Sequence, residues 1–168
     1  KLFSFNYNES FETTPAGISY NERVRWANYI MGVIQEFKKL GYPIPGMEVV
    51  FGGDVPAGSG LSSSAAVEVC TAVLLEKLCS IKVDPIELIK LARRAENEFV
   101  GVQCGIMDQF ASYLSKENNA LLLNCNTLDY RYIPLKIDRY SFLLVDTKKT
   151  RSLSSSVYNE RVESIKEA

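Results

Sequence analysis

The stretch Asp54-Val55-Pro56-Ala57-Gly58-Ser59-Gly60-Leu61-Ser62-Ser63-Ser64-Ala65-Ala66 decides how the rest of the chain reads. An apolar run at residues 47–51 precedes it and reads as a short strand, and a long apolar segment at 62–79 follows it and reads as a helix. The stretch is therefore a strand-to-helix turn. Gly58 and Gly60 permit positive φ and a close backbone approach to a ligand. Ser62, Ser63 and Ser64 stand at the helix start, beside N–H groups that have no intrahelical partner. The helix dipole adds roughly half a positive charge there, and such a mouth suits a phosphate. The plain alternative is a glycine turn with a serine cap. One Gly and one Ser would satisfy that, whereas two Gly and three consecutive Ser are present. The stretch is not a Walker A loop, because Ser59 stands where that motif needs Lys, and it lacks the G-x-G-x-x-G spacing of a dinucleotide fingerprint.

Outward from the turn, residues 1–7 read as a strand and 8–20, with Pro15 and Gly17, as a loop. Between residues 22 and 40, Trp26, Ile30, Val33, Phe37 and Leu40 recur at helical spacing; Gly41 ends that helix, and Pro43 and Pro45 prevent its return. Asp84 and Glu87 have capping-box spacing, and the helix they open is expected to reach Phe99. Gly101 and Gly105 break the chain before a short helix that ends near Leu114. Residues 120–125, 130–135 and 140–146 read as strands, and 154–168 as a helix. This mixed order predicts an α+β fold with a mostly antiparallel sheet.

The length of 168 residues and 46% hydrophobic content suffice for a compact domain with a real core. Nineteen basic against 20 acidic residues leave a net charge of -1, which gives no electrostatic case for a nucleic-acid partner. The chain has no histidine. Within it, that excludes a Ser-His-Asp triad, a Cys-His pair and a His-ligated metal. Acid/base work falls to carboxylates, Lys, Tyr or water. The four cysteines form no C-x-x-C pair; Cys70 and Cys125 lie in apolar runs and read as core thiols, a usage that fits a reducing, cytoplasmic setting. No 18-residue apolar run and no signal-peptide pattern occur, so no membrane partner is expected. The chain starts without Met, and its two ends fall in mid-pattern, which reads as a fragment.

Two carboxylates follow the turn. At about 100° per residue, Leu88, Leu91, Ala92, Ala95 and Phe99 form one apolar arc, and Glu96 falls inside it. A carboxylate on the buried side needs a cation or hydrogen-bond donors. Mg²⁺ would serve, since it is normally held by one or two protein oxygens together with phosphates. The plain alternatives are an ion pair with Arg93 or a helix-end carboxylate in water. Asp108 sits opposite the apolar side formed by Ile106, Phe110, Tyr113 and Leu114. It reads either as a first-turn acid favoured by the dipole or as a carboxylate aimed at a cleft.

The turn resembles the second motif of the GHMP small-molecule kinases: Pro56, Gly58, Gly60, Leu61, Ser63, Ser64 and Ala65 all fall in place. The segment GVQCGIMDQF at 101–110 is similar to the active-site segment of galactokinases, a branch of that family. Ala95-Glu96, ALLLNC at 120–125, RWANYIMGVIQ at 25–35 and the SSVYNER run at 155–161 are similar to the same branch, so the likeness runs in consistent order from about residue 22 to 161.

The resemblance implies the GHMP N-terminal domain fold, of the ribosomal protein S5 domain 2 type, with helices on one face of the sheet. It places that ATP-binding domain, incomplete at its start, at residues 1–146 and the beginning of a C-terminal domain at 147–168. By likeness, Gly58, Ser59, Gly60, Leu61, Ser62, Ser63 and Ser64 cradle the ATP phosphates, and Trp26 lies near the adenine. Taken alone, Trp26 reads rather as helix packing. Ser64 and Glu96 hold Mg²⁺. Asp108 is the catalytic carboxylate at the sugar 1-hydroxyl, and Tyr158 and Gly105 lie at the sugar. The implied reaction transfers the ATP γ-phosphate to α-D-galactose, giving galactose 1-phosphate and ADP. Whether Asp108 takes the proton or only orients the hydroxyl is left open.

The family's first motif, with its G-E-H-T-D-Y-like sugar segment and a nearby Arg, is absent and is expected before Lys1. The glycine-rich third motif is expected after Ala168. A stabilising Arg is worth roughly 10³–10⁵ in phosphoryl transfer, so little kinase activity is expected of this chain by itself. The intact enzyme is expected to be a monomer, while strand edges left open in a fragment favour self-association. An arabinokinase, an N-acetylgalactosamine kinase and a non-catalytic galactokinase-like sugar sensor are the other readings. The intact Ser62, Ser63 and Ser64 favour an enzyme over a sensor.

Overall fold

The computed structural model describes residues 1–137, 139–145 and 164–165. Strands β1 (Leu2–Ser4) and β2 (Glu9–Phe11) lead through a 3-10 turn at Pro15–Gly17 to helix α1 (Arg25–Lys39). Strand β3 (Val49–Phe51), helix α2 (Ser63–Leu78) and helix α3 (Pro85–Arg94) follow. A π-helical turn at Ala95–Val100 comes next, then helix α4 (Met107–Leu114) and the hairpin β4 (Asn119–Leu123)–β5 (Tyr130–Pro134).

The α+β class holds, but the sheet divides. One sheet has the order β2-β1-β3 and the other is β4-β5 alone. Pairings β1–β2 and β4–β5 are antiparallel, whereas β1–β3 is parallel, with Leu2 opposite Val49 and Ser4 opposite Phe51. A parallel neighbour needs a crossover connection, and α1 supplies it. Two local expectations are corrected. Residues 8–20, read as loop, contain β2 and the 3-10 turn, in which the Thr14 hydroxyl accepts from Gly17 N. The strand read at 140–146 is absent over its described part: Tyr140, Phe142, Leu143, Leu144 and Val145 are 73–84% exposed. An apolar run alone does not make a strand without a ladder partner. Of the helix read at 154–168, only Ser164 and Ile165 lie among the described residues, and they are helical.

The main core lies where α1, α2 and α3 meet the three-stranded sheet. Ile30, Met31, Phe37, Leu75, Leu88 and Leu91 are buried together, with Leu2 from β1 against them. A second cluster, Ile89, Ile106 and Phe110, seats α4 on the hairpin through Leu121 and Leu123. Buried Glu36 joins two helices: it pairs with Lys39 on α1 and accepts from Arg94 Nε at 2.8 Å. Asp84 caps α3, accepting from Ile86 N at 2.9 Å and Glu87 N at 3.3 Å. The reciprocal half of the capping box is not made, because the Glu87 carboxylate pairs with Lys90.

The core-thiol reading is corrected for Cys70 and Cys125, which are both exposed. Helix α2 is apolar on nearly every side, so its sequence carries no phase to show which residues face out. Cys125 falls in the turn after β4, where Asn124 Oδ1 accepts from Asn126 N and Thr127 N. Among the described residues, no helix is long and apolar enough to cross a membrane.

The π turn carries Glu96, and α1 holds that turn in place through a close approach at Gly32. A Cβ at Gly32 would lie 3.1 Å from Ala95 O and 3.2 Å from the Cβ atoms of Ala95 and Phe99. All three atoms belong to one rigid helical turn. We expect Gly32→Ala to lower stability by about 1 kcal/mol or more, read as the urea midpoint of the full-length protein. A simple gain in helix propensity would have the opposite sign. Asp84→Ala should cost about 1 kcal/mol by loss of the α3 cap, by the same measurement.

Candidate active site

The turn before α2 takes the backbone its glycines allow. Gly58 has φ +72° and Gly60 has φ +80°. Ser62, the residue before the helix, is also left-handed at φ +59°, and its side chain makes no capping hydrogen bond. A non-glycine residue in that region costs of order 1 kcal/mol, and serine usually stands at this place to cap. The simple cap reading therefore fails, and Ser63 and Ser64, the first residues of α2, border two cavities.

Two cavities flank this mouth and share Gly58, Ser63 and Ser64 as their common wall. The first, of about 340 Å³, is lined by Tyr7, Trp26, Tyr29, Phe51, Gly52 and Val55, with Arg25 and Cys70. Trp26 is half-buried, stacks on Tyr7 at 6.4 Å and 12°, and donates from Nε1 to Glu9 Oε2 at 2.7 Å. The indole thus packs at the edge of the core and also forms cavity wall. Burial pushes the Tyr29 hydroxyl above its ordinary range, and it stays protonated as a donor.

The second cavity, of about 320 Å³, is lined by Gly58, Gly60, Ser62, Ser63, Ser64, Glu96, Val102, Cys104, Gly105, Met107 and Asp108. Glycine turn, Glu96, Gly105 and Asp108, all singled out in the sequence, thus meet around one hollow. Ser59 and Leu61 do not line it. The Ser59 hydroxyl donates to Pro56 O at 2.7 Å, which holds the turn itself, and Leu61 is exposed. Tyr158 lies outside the described residues.

Glu96 is buried, as its place in the apolar arc predicts, but Arg93 is not its partner. Arg93 Nε donates to Cys104 O. The partner of Glu96 is Gln109, whose Nε2 donates to Glu96 Oε2 at 2.9 Å and to Glu68 Oε2 at 3.1 Å. Burial pushes the carboxyls of Glu68 and Glu96 upward. For Glu68 the neighbouring Glu96 adds to the rise, whereas hydrogen bonds from Cys104 and Ser64 oppose it for Glu96. Of the two, Glu68 is pushed up further, because it is the more deeply buried. Burial also keeps the Cys104 thiol protonated.

Glu68 and Gln109 were not singled out in the sequence. The available signal was Glu68 itself, the only charged residue in the apolar run 62–75.

The donors around the second cavity fit Mg²⁺. Ser64 and Glu96 present hard oxygens to one space, Asp108 lines the same space, and among the described residues no Lys or Arg lines it. Polyanionic phosphates meeting these carboxylates need a cation between them. Among the described residues, no group of three or more His, Cys, Asp or Glu side chains makes a ready metal cage. Mg²⁺ does not require one, because phosphates and water complete its shell.

The GHMP kinases N terminal domain matches residues 28–116, more than half of the chain. A galactokinase of Fusobacterium nucleatum is 46% identical, covering 100% of this chain and 44% of its own length. A galactokinase of Bacillus subtilis is 44% identical, covering 96% of this chain and 42% of its own length. The crystal structure of Lactococcus lactis galactokinase complexed with galactose superimposes with a TM-score of 0.90 at 36% identity, over 99% of this chain and 44% of that one. The chain therefore spans less than half the length of the curated relatives it matches. With its strand-to-helix turn, uncapped α2 and facing carboxylates, the chain belongs to the GHMP kinase family, whose N-terminal domain it carries.

Proposed function

We propose that this chain forms the nucleotide- and acceptor-binding part of a galactokinase. In the whole protein, the ATP γ-phosphate passes to the 1-hydroxyl of α-D-galactose, giving galactose 1-phosphate and ADP. The observation that carries this reading is the shared wall. The first residues of α2, Ser63 and Ser64, stand between an aromatic cavity that suits a flat base and a carboxylate-lined cavity that suits a metal and a hydroxylated acceptor. Likeness to galactokinases at 44% and 46% identity supports the choice of sugar. We place the N-terminal domain at residues 1–146 and the start of a second domain at 147–168, and the enzyme in the cytoplasm.

In this reading Trp26 and Tyr7 flank the adenine. Backbone N–H groups from Gly58 to Ser64 receive the phosphates, because the helix dipole and unpaired donors favour anions there. Ser64 and Glu96 would hold Mg²⁺, which would supply neutralisation of phosphate charge. Asp108 lies across the same cavity, beside Gly105, and orients the acceptor hydroxyl. The hydroxyl oxygen bonds to the γ-phosphorus, the bond from that phosphorus to the β,γ-bridging oxygen breaks, and ADP leaves with the electron pair. The hydroxyl proton passes to the Asp108 carboxylate. A loose transition state needs little base strength, so positioning is the larger part of this contribution. Tyr158 is proposed at the sugar by likeness alone.

A phosphotransfer assay of the full-length protein against galactose, arabinose and N-acetylgalactosamine tests the reading. Galactose 1-phosphate is the expected main product. Preference for another sugar, or no transfer at all, contradicts it. Asp108→Asn should lower turnover by roughly 10²–10⁴ while ADP affinity is kept; a near-normal rate removes Asp108 from the mechanism.

A further inference from the structure

Two of the polar groups behind the second cavity, Gln109 and Glu68, have no role in the reaction just described. Gln109, Glu68 and Glu96 come from α4, α2 and the π turn, and the first two are fully buried. The Gln109 amide nitrogen has two protons, and its two carboxylate acceptors are Glu96 Oε2 at 2.9 Å and Glu68 Oε2 at 3.1 Å. Gln109 Oε1 has no hydrogen-bond partner, and Glu68 meets Glu96 carboxyl to carboxyl. Leaving such atoms buried costs free energy, and apolar side chains of similar volume would fill the same space without that cost. The cluster is thus a poor arrangement for stability alone. Its geometry does one thing an apolar core cannot do: it grips one oxygen of Glu96 from behind.

We infer that Gln109, backed by Glu68, is a positioning residue that fixes the Glu96 carboxylate toward the mouth of α2. The inference rests on the reading of Glu96 as the protein's Mg²⁺ ligand. Donors behind a ligating carboxylate set its orientation, and their loss typically costs about 10- to 100-fold in metal affinity. Gln109 is also the neighbour of Asp108 on α4. One helix turn thereby brings a carboxylate to the cavity while its next residue holds a second carboxylate that lines it.

The test compares Gln109→Met with wild type in the full-length protein, titrating ADP calorimetrically with excess Mg²⁺ and again in EDTA. Wild type should bind ADP more tightly with Mg²⁺. In Gln109→Met that Mg²⁺-dependent gain should fall about 10- to 100-fold, while ADP affinity in EDTA stays within about twofold. A merely structural role would not separate the two conditions. An unchanged gain, or a parallel loss in both conditions, overturns the inference and leaves the proposed function standing. A wild-type protein that fails to bind ADP with Mg²⁺ overturns the proposed function and this inference together. Should Gln109→Met not fold, Gln109→Asn keeps the amide one methylene short. It is expected to give the same split at threefold or more, and no split overturns the inference.

Discussion

Helix α2 begins without a side-chain cap, and that open end orders the rest of the molecule. Ser62 adopts a left-handed backbone instead of the conformation in which serine caps a helix, so its hydroxyl makes no bond to the first turn. The donors there are left to whatever enters the space beside them. Everything nearby keeps that space open. Gly58 and Gly60 turn the chain away from it, the Ser59 hydroxyl ties the turn to Pro56 O, and a Cβ at Gly60 would meet nothing within 4 Å. A local cost in backbone strain is tolerated because the core beneath α2 holds the helix rigidly, with Ala65, Ala72 and Leu75 fully buried.

The second constraint is charge. Glu96, Asp108 and Glu68 gather negative or potentially negative groups within one region of an otherwise nearly neutral chain. Burial and the neighbouring Glu96 both push the Glu68 carboxyl upward, which favours its neutral form. The π turn makes the arrangement possible. A wide turn after α3 carries Glu96 inward beside Ala95, and the missing side chain at Gly32 lets α1 press against it. Wide turns of this kind inside helices are frequent at functional sites.

The parts of this design that were legible in the sequence are local. Glycine and serine chemistry marked the mouth of α2, Asp84 marked the start of α3, and the phase of α3 put Glu96 on the buried side. The parts that were not legible depend on partners distant in sequence. The parallel pairing of β1 with β3 joins residues separated by a whole helix. Cys70 could not be assigned a side because α2 is apolar almost all round and has no phase. Gln109 looked like an ordinary polar residue beside Asp108, since its two carboxylate acceptors lie on α2 and the π turn. The strand read at 140–146 had the right composition, but its described part, 140–145, has no neighbour to complete a ladder among the described residues.

The most direct measurement of the central claim is a crystal structure of the full-length protein with Mg²⁺ and a non-hydrolysable ATP analogue. The account requires the phosphate chain to lie against the backbone amides between Gly58 and Ser64, with the metal touching Ser64 and Glu96 and the terminal phosphate facing Asp108. Phosphates bound away from the α2 mouth, or a metal held with no contact to Glu96, would contradict it.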